Sequence, residues 1–284
     1  MLSLHTNSAA MSIQRTLSNT RAAADTSMTR LGTGFRINSA KDDAAGLQIA
    51  TRLMAQTRGM NVAMQNTQNA TSMLQTADGA FSEVSNVLLR MKDLATQAAD
   101  ASSSAADKTA MQAEYDALGS ELSNIMSNTS YGGEKLLNSG KLASKMTFQI
   151  GASKAETMDV NLSAHLTALG TSFTAVSKNY AATAQGDELT GSTAAEQIDK
   201  INTALSNLGT TRSAIGAAQN RLSHINNNLG NMASNTADAQ GRIMDVDYAS
   251  ESANMTSKQI LLQASSAMLK QSSSMSQMVL SLIQ

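Results

Sequence analysis

At 284 residues the chain is long enough for two ordinary domains, yet it holds no Pro, Trp or Cys and only four Phe and four Tyr. So few bulky core fillers exclude a thick globular core and point to thin seams between helices, and the missing Cys excludes a disulfide framework, a thiolate metal site and a thiol nucleophile. A formal net charge of −1, with both signs interspersed, excludes an electrostatic nucleic-acid binder and a polybasic anchor, so neither nucleic acid nor membrane insertion is expected. In chain order, residues 1–20 lack the apolar run of a signal peptide, and aliphatic runs stop at triplets such as Val87-Leu88-Leu89. No cleavable leader and no membrane span are expected. Residues 1–35 carry a sparse helical stripe, Ile13, Leu17, Ala24, Met28 and Leu31, broken at Leu31-Gly32-Thr33-Gly34. Arg36-Ile37-Asn38-Ser39 reads as an extended or turn segment. Ser39 to Asp42 has the spacing of a capping box, and Asp42 and Asp43 suit the positive end of the next helix.

That helix, 45–99, organises the chain. At 1.5 Å per residue it is about 80 Å long. Its apolar residues step by four and three through Ala70, Leu74, Ala77, Phe81, Val84, Leu88, Met91, Ala95 and Ala98. The same register runs back through Thr67, Ala63, Met60, Gln56, Leu53 and Ile49. A sustained seven-residue repeat keeps one narrow face toward a partner and predicts a left-handed supercoil. Gly59 and Gly79 are its weak points, each costing about 1 kcal/mol relative to Ala. A second helix over 105–127, with Met111, Tyr115, Leu118, Leu122 and Ile125 in four-three steps, returns antiparallel to it and ends at Asn128 to Gly133.

The period then changes. Met146, Phe148 and Ile150 alternate, as do Met158, Val160 and Leu162, which predicts a β-hairpin at about 141–162. Residues 163–192, rich in Ser, Thr, Ala and Gly, read as loop with at most one short helix. Thr193 to Glu196 has capping-box spacing and opens a third long helix with Ile198, Ile201, Leu205, Leu208, Ile215, Leu222 and Leu229. Its stripe fades at Asn226-Asn227-Asn228 and resumes at Ile243 and Val246. The tail carries Leu261, Ala264, Met268, Met275, Val279 and Leu282.

The expected fold is mostly α, with long antiparallel coiled-coil helices, one small β-hairpin, and terminal helices that pair. Such a terminal pair buries too little area to offset its own ordering entropy. We therefore expect it to order against copies of itself, which points to polymerisation. No chemistry competes with that reading. His5, His165 and His224 stand far apart and match no zinc pattern, so no metal and no cofactor is expected. Asp42-Asp43 and Asp245 with Asp247 read as helix-end charges rather than catalytic pairs, since no nucleophile or base accompanies them. Gly32 and Gly34 mark a turn, with no strand before them as a dinucleotide fold needs. Methionines at heptad spacing read as seam filler rather than a promiscuous groove.

Four segments, in order, resemble bacterial flagellins. Leu31-Gly32-Thr33-Gly34-Phe35-Arg36-Ile37-Asn38-Ser39-Ala40-Lys41-Asp42-Asp43-Ala44-Ala45-Gly46-Leu47 is similar to the family's N-terminal signature, and Gly216-Ala217-Ala218-Gln219-Asn220-Arg221-Leu222 to its C-terminal motif. Arg242-Ile243-Met244-Asp245-Val246-Asp247-Tyr248-Ala249 and Val279-Leu280-Ser281-Leu282 match as well. The resemblance covers about 1–160 and 192–284. It implies a non-enzymatic subunit of a flagellar filament for motility, exported unfolded, assembled at the tip and located outside the cell. It implies an inner domain of 1–42 with 245–284, a rod domain of 43–180 with 190–244, and a short remnant of the variable region at 163–192. This is the pattern of a minimal, lateral-type flagellin. The implied subunit interface uses Ile13, Leu17, Met28, Leu31, Arg36, Asn38, Asp42, Asp43, Asp245, Asp247, Leu261, Met268, Val279 and Leu282. The implied partners are identical subunits, an export chaperone at the C-terminal helix, and hook-associated junction and cap proteins. A host Toll-like receptor would read a patch of Arg90, Leu94 and Glu114, exposed in the monomer and covered in the filament. Two alternatives stand beside it: a hook–filament junction protein of the same family, and a coiled-coil signalling module.

Overall fold

The computed structural model describes residues 7–181, 186–190 and 193–283, with side chains through Met275. The chain divides into two compact units, Met1–Thr57 with Ser234–Gln284 (the terminal unit) and Arg58–Ala233 (the central unit). Both divisions fall inside helices. Helix α2 runs Ala44–Ala99, and a later helix, α6, runs Ala194–Met244, continuous through Asn226 to Asn228 where the apolar stripe is expected to fade.

In the terminal unit α1 spans Ser8–Thr33. It starts where the Asn7 side chain accepts from the Ala10 amide and stops at Gly34, left-handed at φ 78°, whose N–H donates to Arg30 O. The last helix, α7, spans Tyr248–Ile283 and packs along α1. The two are antiparallel: Asn7 Nδ2 donates to the Ser272 carbonyl at 3.4 Å, and Arg30 pairs with Glu251 at 3.7 Å near the other end. Short backbone pairing joins the ends. Phe35 bridges Asp245, Arg36 N–H donates to Met244 O at 2.6 Å, and Val246 N–H donates to Gly34 O at 3.0 Å.

The start of α2 corrects one expectation. Asp42 Oδ2 accepts from Ser39 N, Ser39 Oγ and Asn38 N at 2.8, 3.0 and 3.1 Å, so the Ser39–Asp42 pair closes a turn ahead of the helix. The capping falls to Asp43, whose Oδ1 accepts from Gly46 N at 2.8 Å.

The central unit is built on the predicted seam. Leu74, Phe81, Val84, Leu88 and Met91 of α2 are fully buried with Tyr115 and Leu122 of α3 (Ala105–Asn128) and with Ile201, Ile215 and Leu222 of α6. Ser104 and Asp107 form a reciprocal capping box at the start of α3. The α2 stripe is buried from Met60 onward. Before it, in the terminal unit, Ile49 and Gln56 are exposed and Leu53 is half-buried, while Ala50 is buried instead.

The expected hairpin is present. Strands β3 (Met146–Gln149) and β4 (Thr157–Val160) pair antiparallel, with Met146 opposite Val160 and Phe148 opposite Met158. A smaller one precedes it: β1 (Ser130–Tyr131) pairs with β2 (Glu134–Lys135) across Gly132-Gly133, both at positive φ as a two-residue turn requires. Gly59 is no weak point. A Cβ there would stand 2.7 Å from Ala152 Cβ and 3.1 Å from its Cα, so the glycine lets the hairpin loop lie against α2.

The region read as loop with at most one short helix holds two. Ser163–Val176 forms α4, a fourteen-residue helix, and Lys178–Ala181 forms α5. Leu166, Leu169, Phe173 and Val176 bury one face of α4, and Phe173 meets Tyr180 edge-on at 5.4 Å. A buried polar clasp holds the following segment to α3. Gln112 Nε2 donates to both Asp116 and Glu188 at 2.8 Å, and Leu189 N donates back to Gln112 Oε1 at 2.6 Å.

Candidate assembly surface

The α1–α7 pair decides how the terminal unit can act. On α1 the covered positions include Ala10, Ile13, Leu17, Thr20, Ala24, Ser27 and Leu31, and only Ala24 and Ser27 among the described residues of this helix are fully buried. On α7 the covered positions recur every four and three residues: Glu251, Met255, Lys258, Leu262, Ser265, Leu269 and Ser272. That is a seam, but about half its members are polar. The tail stripe flagged in the sequence, Leu261, Ala264, Met268 and Met275, lies one residue out of register with it and faces away. Helix α7 therefore has two apolar faces, and its own chain covers one.

The uncovered face is large. Met11, Met28, Ile260, Leu261, Met268 and Met275 are 46–60% exposed on α1 and α7. Phe35, Ile49, Met54 and Tyr248 add to it within the same unit. In the central unit the exposed large apolar side chains among the described residues are Val62, Leu89 and Met232. Large apolar side chains concentrated in this way on one unit, against three in the longer central unit, point to an interaction site. Covering each such side chain is worth about 1 kcal/mol or more.

The polar residues expected at an interface lie elsewhere and are engaged within the chain. Arg36 Nη2 donates to Ile243 O at 2.8 Å, and Asn38 Nδ2 donates to Phe35 O at 2.8 Å. Asp247 caps α7, accepting from Ala249 N at 3.0 Å and from Ser250 Oγ at 2.7 Å. The hydroxyl and backbone N–H groups of Ser250 hold the Asp247 carboxyl below the ordinary range, as the N–H and hydroxyl of Ser39 do for Asp42. Asp42 and Asp43 shape the entry to α2, and Asp245 carries the bridge to Phe35. These six residues thus define a junction in the terminal unit, five through their side chains and Asp245 through its backbone. The side chains of Val279 and Leu282 lie outside the described residues.

In the central unit Arg90 and Glu114 form an exposed ion pair at 2.7 Å, their side chains 53% and 46% accessible. Leu94 does not join them on the surface. It is 2% exposed, in the seam with Met91 and Ala95, so the expected three-residue patch is corrected to an exposed pair over a buried support. The described histidines, His165 and His224, are half-buried and exposed, and His5 lies outside the described residues. Among the described residues no three His, Cys, Asp or Glu side chains converge as a metal site would need, and no helix is long and apolar enough to cross a membrane.

This arrangement has relatives. Residues 4–141 match the model of the bacterial flagellin N-terminal helical region, and 198–283 that of the C-terminal helical region. The chain belongs to the bacterial flagellin family. It is 45% identical over 161 residues to polar flagellin B/D of Vibrio parahaemolyticus, covering 57% of this chain and 42% of that one. It thus spans less than half the length of the curated relatives it matches. A crystal structure of Bacillus cereus flagellin is similar at 31% identity, over 62% of this chain and 94% of that one, with a TM-score of 0.49. The structure of a putative flagellar hook-associated protein from Vibrio parahaemolyticus, at 16% identity, covers 72% of this flagellin-family chain and 100% of its own, with a TM-score of 0.54. That likeness is one of fold.

Proposed function

We propose that the chain is the structural, non-enzymatic subunit of a bacterial flagellar filament and that it polymerises through its terminal unit. The observation that carries this reading is the second apolar face of α7, Leu261, Met268 and Met275, which its own chain leaves open while α1 covers the other. Ile13, Leu17 and Leu31 serve the intramolecular seam of the pair, and Met28 with the α7 face meets neighbouring subunits; the sequence assigns Val279 and Leu282 to the same role. Arg36, Asn38, Asp42, Asp43, Asp245 and Asp247 fix the junction so that the pair is presented in one direction. In this reading 1–42 with 245–284 form the inner filament domain, 43–180 with 190–244 the rod, and 163–192 the short remnant of the variable region.

The subunit is exported unfolded and assembles outside the cell at the filament tip. A chain with no Cys and no Pro suits that route, because it has no disulfide to reduce and no slow X–Pro isomerisation. Its further partners are an export chaperone on the C-terminal helix, junction and cap proteins at the two filament ends, and a host Toll-like receptor that reads the Arg90–Glu114 pair with Leu94 supporting it from beneath.

Salt-induced polymerisation followed by electron microscopy tests the central point. The full chain is expected to give filaments. Removal of residues 255–284 is expected to leave a soluble protein whose central unit unfolds cooperatively and which forms none. Normal filaments from that truncation would sink the proposal.

A further inference from the structure

Among the described residues the exposed methionines lie mostly in the terminal unit, Met54 at 36% among them, with Met232 at 39% the exception in the central unit. Met11, Met28, Met268 and Met275, on α1 and α7, are 47–60% exposed. Met60, Met73, Met91, Met111, Met126 and Met158, in the central unit, are at most 8% exposed. A thioether in solvent reacts with a peroxide; one in a packed seam does not. From this partition we infer that the α1–α7 surface is a methionine-oxidation site: a hydroperoxide converts the exposed thioethers of the free subunit to sulfoxides and so blocks its addition to a polymer. The inference rests on the proposed self-assembly through the same surface.

The chemistry balances. The sulfur lone pair of the methionine attacks one oxygen of hydrogen peroxide. An S–O bond forms, the O–O bond breaks, and the second oxygen leaves as water after proton transfer. The sulfur loses two electrons and the peroxide gains them. The product is polar and carries a strong acceptor oxygen, so it costs free energy to bury without a donor. The stripe exposed on α7, Leu261, Ala264, Met268 and Met275, has no side-chain donor of its own. A subunit oxidised there keeps its central seam, because Phe81, Leu88 and Tyr115 are untouched, but its α7 face no longer matches a dry contact. The same logic protects the product: once the face is covered in a polymer, peroxide no longer reaches these sulfurs.

The test uses the full chain and hydrogen peroxide. Peptide mass spectrometry after a limited dose is expected to show sulfoxide at Met11, Met28, Met268 and Met275 well before the six buried methionines. The concentration needed for polymerisation is expected to rise by roughly tenfold or more. Treatment with the two methionine sulfoxide reductases, one for each epimer, should restore it, and circular dichroism of the central unit should not change. A variant carrying Met11→Leu, Met28→Leu, Met268→Leu and Met275→Leu should polymerise after peroxide as it does before. Uniform oxidation of both sets, or selective oxidation with unchanged polymerisation, would overturn the inference while leaving the assembly reading intact. Failure of the untreated chain to polymerise would overturn both.

Discussion

The terminal and central units are made of the same few residue types, yet they use them differently. In the central unit the four-three stripes of α2, α3 and α6 meet, and Leu74, Phe81, Leu88, Tyr115, Ile201 and Ile215 lose all contact with solvent. In the terminal unit, among described residues, the buried apolar side chains are Ala24, Ile37 and Ala50. Large apolar side chains such as Met28, Ile260 and Met268 stay in solvent there. The difference is not one of helix propensity, since α1 and α7 are as regular as α2. It is one of partners. A long helix with three neighbours buries its stripe, and one with a single thin neighbour leaves a face open. The lesson is that secondary structure in this chain is set locally, while stability is set by how many stripes converge.

The sharpest way to break that comparison is amide exchange on the dilute monomer. Amides of the central seam, around 81–91 and 201–215, are expected to exchange only through global opening and to show protection of roughly 10⁴-fold or more. Those along 13–31 and 261–275 are expected to exchange close to the unprotected rate, and to gain protection when the protein polymerises. Equal protection of both units in the monomer would show that two helices suffice, and the case for order through neighbours would fall.

A pair of truncations comes next. Phe173→Ala removes a fully buried ring that Tyr180 packs against. It should cost the central unit about 3–5 kcal/mol, read as a lower urea midpoint. Met268→Ala removes a side chain that is 60% exposed. It should leave monomer stability within about 0.5 kcal/mol and instead raise the concentration needed to polymerise. Similar costs to monomer stability from the two would erase the distinction between the units.

What is legible in the sequence follows the same division. The α2 stripe from Met60 to Ala98 and its partner in α3 are readable because a seven-residue repeat sustained over many turns arises from little besides a helix–helix seam. The hairpin at Met146–Gln149 and Thr157–Val160 is readable from its two-residue alternation. Helix α4 is legible only as the one short helix allowed there, although Leu162, Leu166, Leu169, Phe173 and Val176 step in fours and threes. Its Ser, Thr, Ala and Gly surroundings outweigh so short a stripe. The β1–β2 ladder has two residues per strand, too few for alternation to register. The tail exposes a deeper limit. Sequence marks the more apolar of two faces, Leu261 and Met268, whereas the chain's own partner takes Leu262 and Leu269. Which face is used at home and which is left open depends on where α1 lies, and no local pattern records that. Leu94 fails for a related reason. Motif matching places it with Arg90 and Glu114, but four residues along a helix advance about 40° around its axis, and that carries Leu94 from the exposed side into the seam.

Two glycines in α2 give a smaller contrast. Gly59→Ala would drive a Cβ to 2.7 Å from Ala152 Cβ, against backbone that cannot swing aside. A loss of about 1–3 kcal/mol is expected. Gly79→Ala meets nothing within 4 Å and should gain about 1 kcal/mol from propensity alone. Thermal melts of the two variants should therefore move in opposite directions. Were both stabilising, the approach of the hairpin loop to Gly59 would not hold in solution.

The smallest expected effect separates the units by acid. Asp42 in the terminal unit is held below the ordinary Asp value chiefly by the backbone N–H of Ser39, then by the Ser39 hydroxyl and the Asn38 N–H. Asp107 in the central unit is held low by the Ser104 hydroxyl and then its N–H. Both folded values lie below the unfolded one. Each therefore contributes to stability above the ordinary carboxylate range, and loses that contribution as the pH falls through the lowered value. Both carboxylates are solvent-exposed, so the effect is local. In the central unit the converging stripes keep α3 in place when Asp107 takes up a proton, and exchange there should stay under global control. In the terminal unit few apolar side chains among the described residues are buried, Ile37 being the one next to the turn at 38–42, so protonation of Asp42 should open it and speed the exchange of the Asn38 and Ser39 amides. Carboxyl chemical shifts followed from neutral to acid pH measure both titrations. Asp42→Asn should abolish the acid step at 38–39 while leaving that at Ser104 unchanged. A carboxyl at Asp42 that titrates at the ordinary Asp value would mean that the Ser39 turn is already open in the free subunit, and that the junction, like the helix pair beyond it, awaits a neighbour.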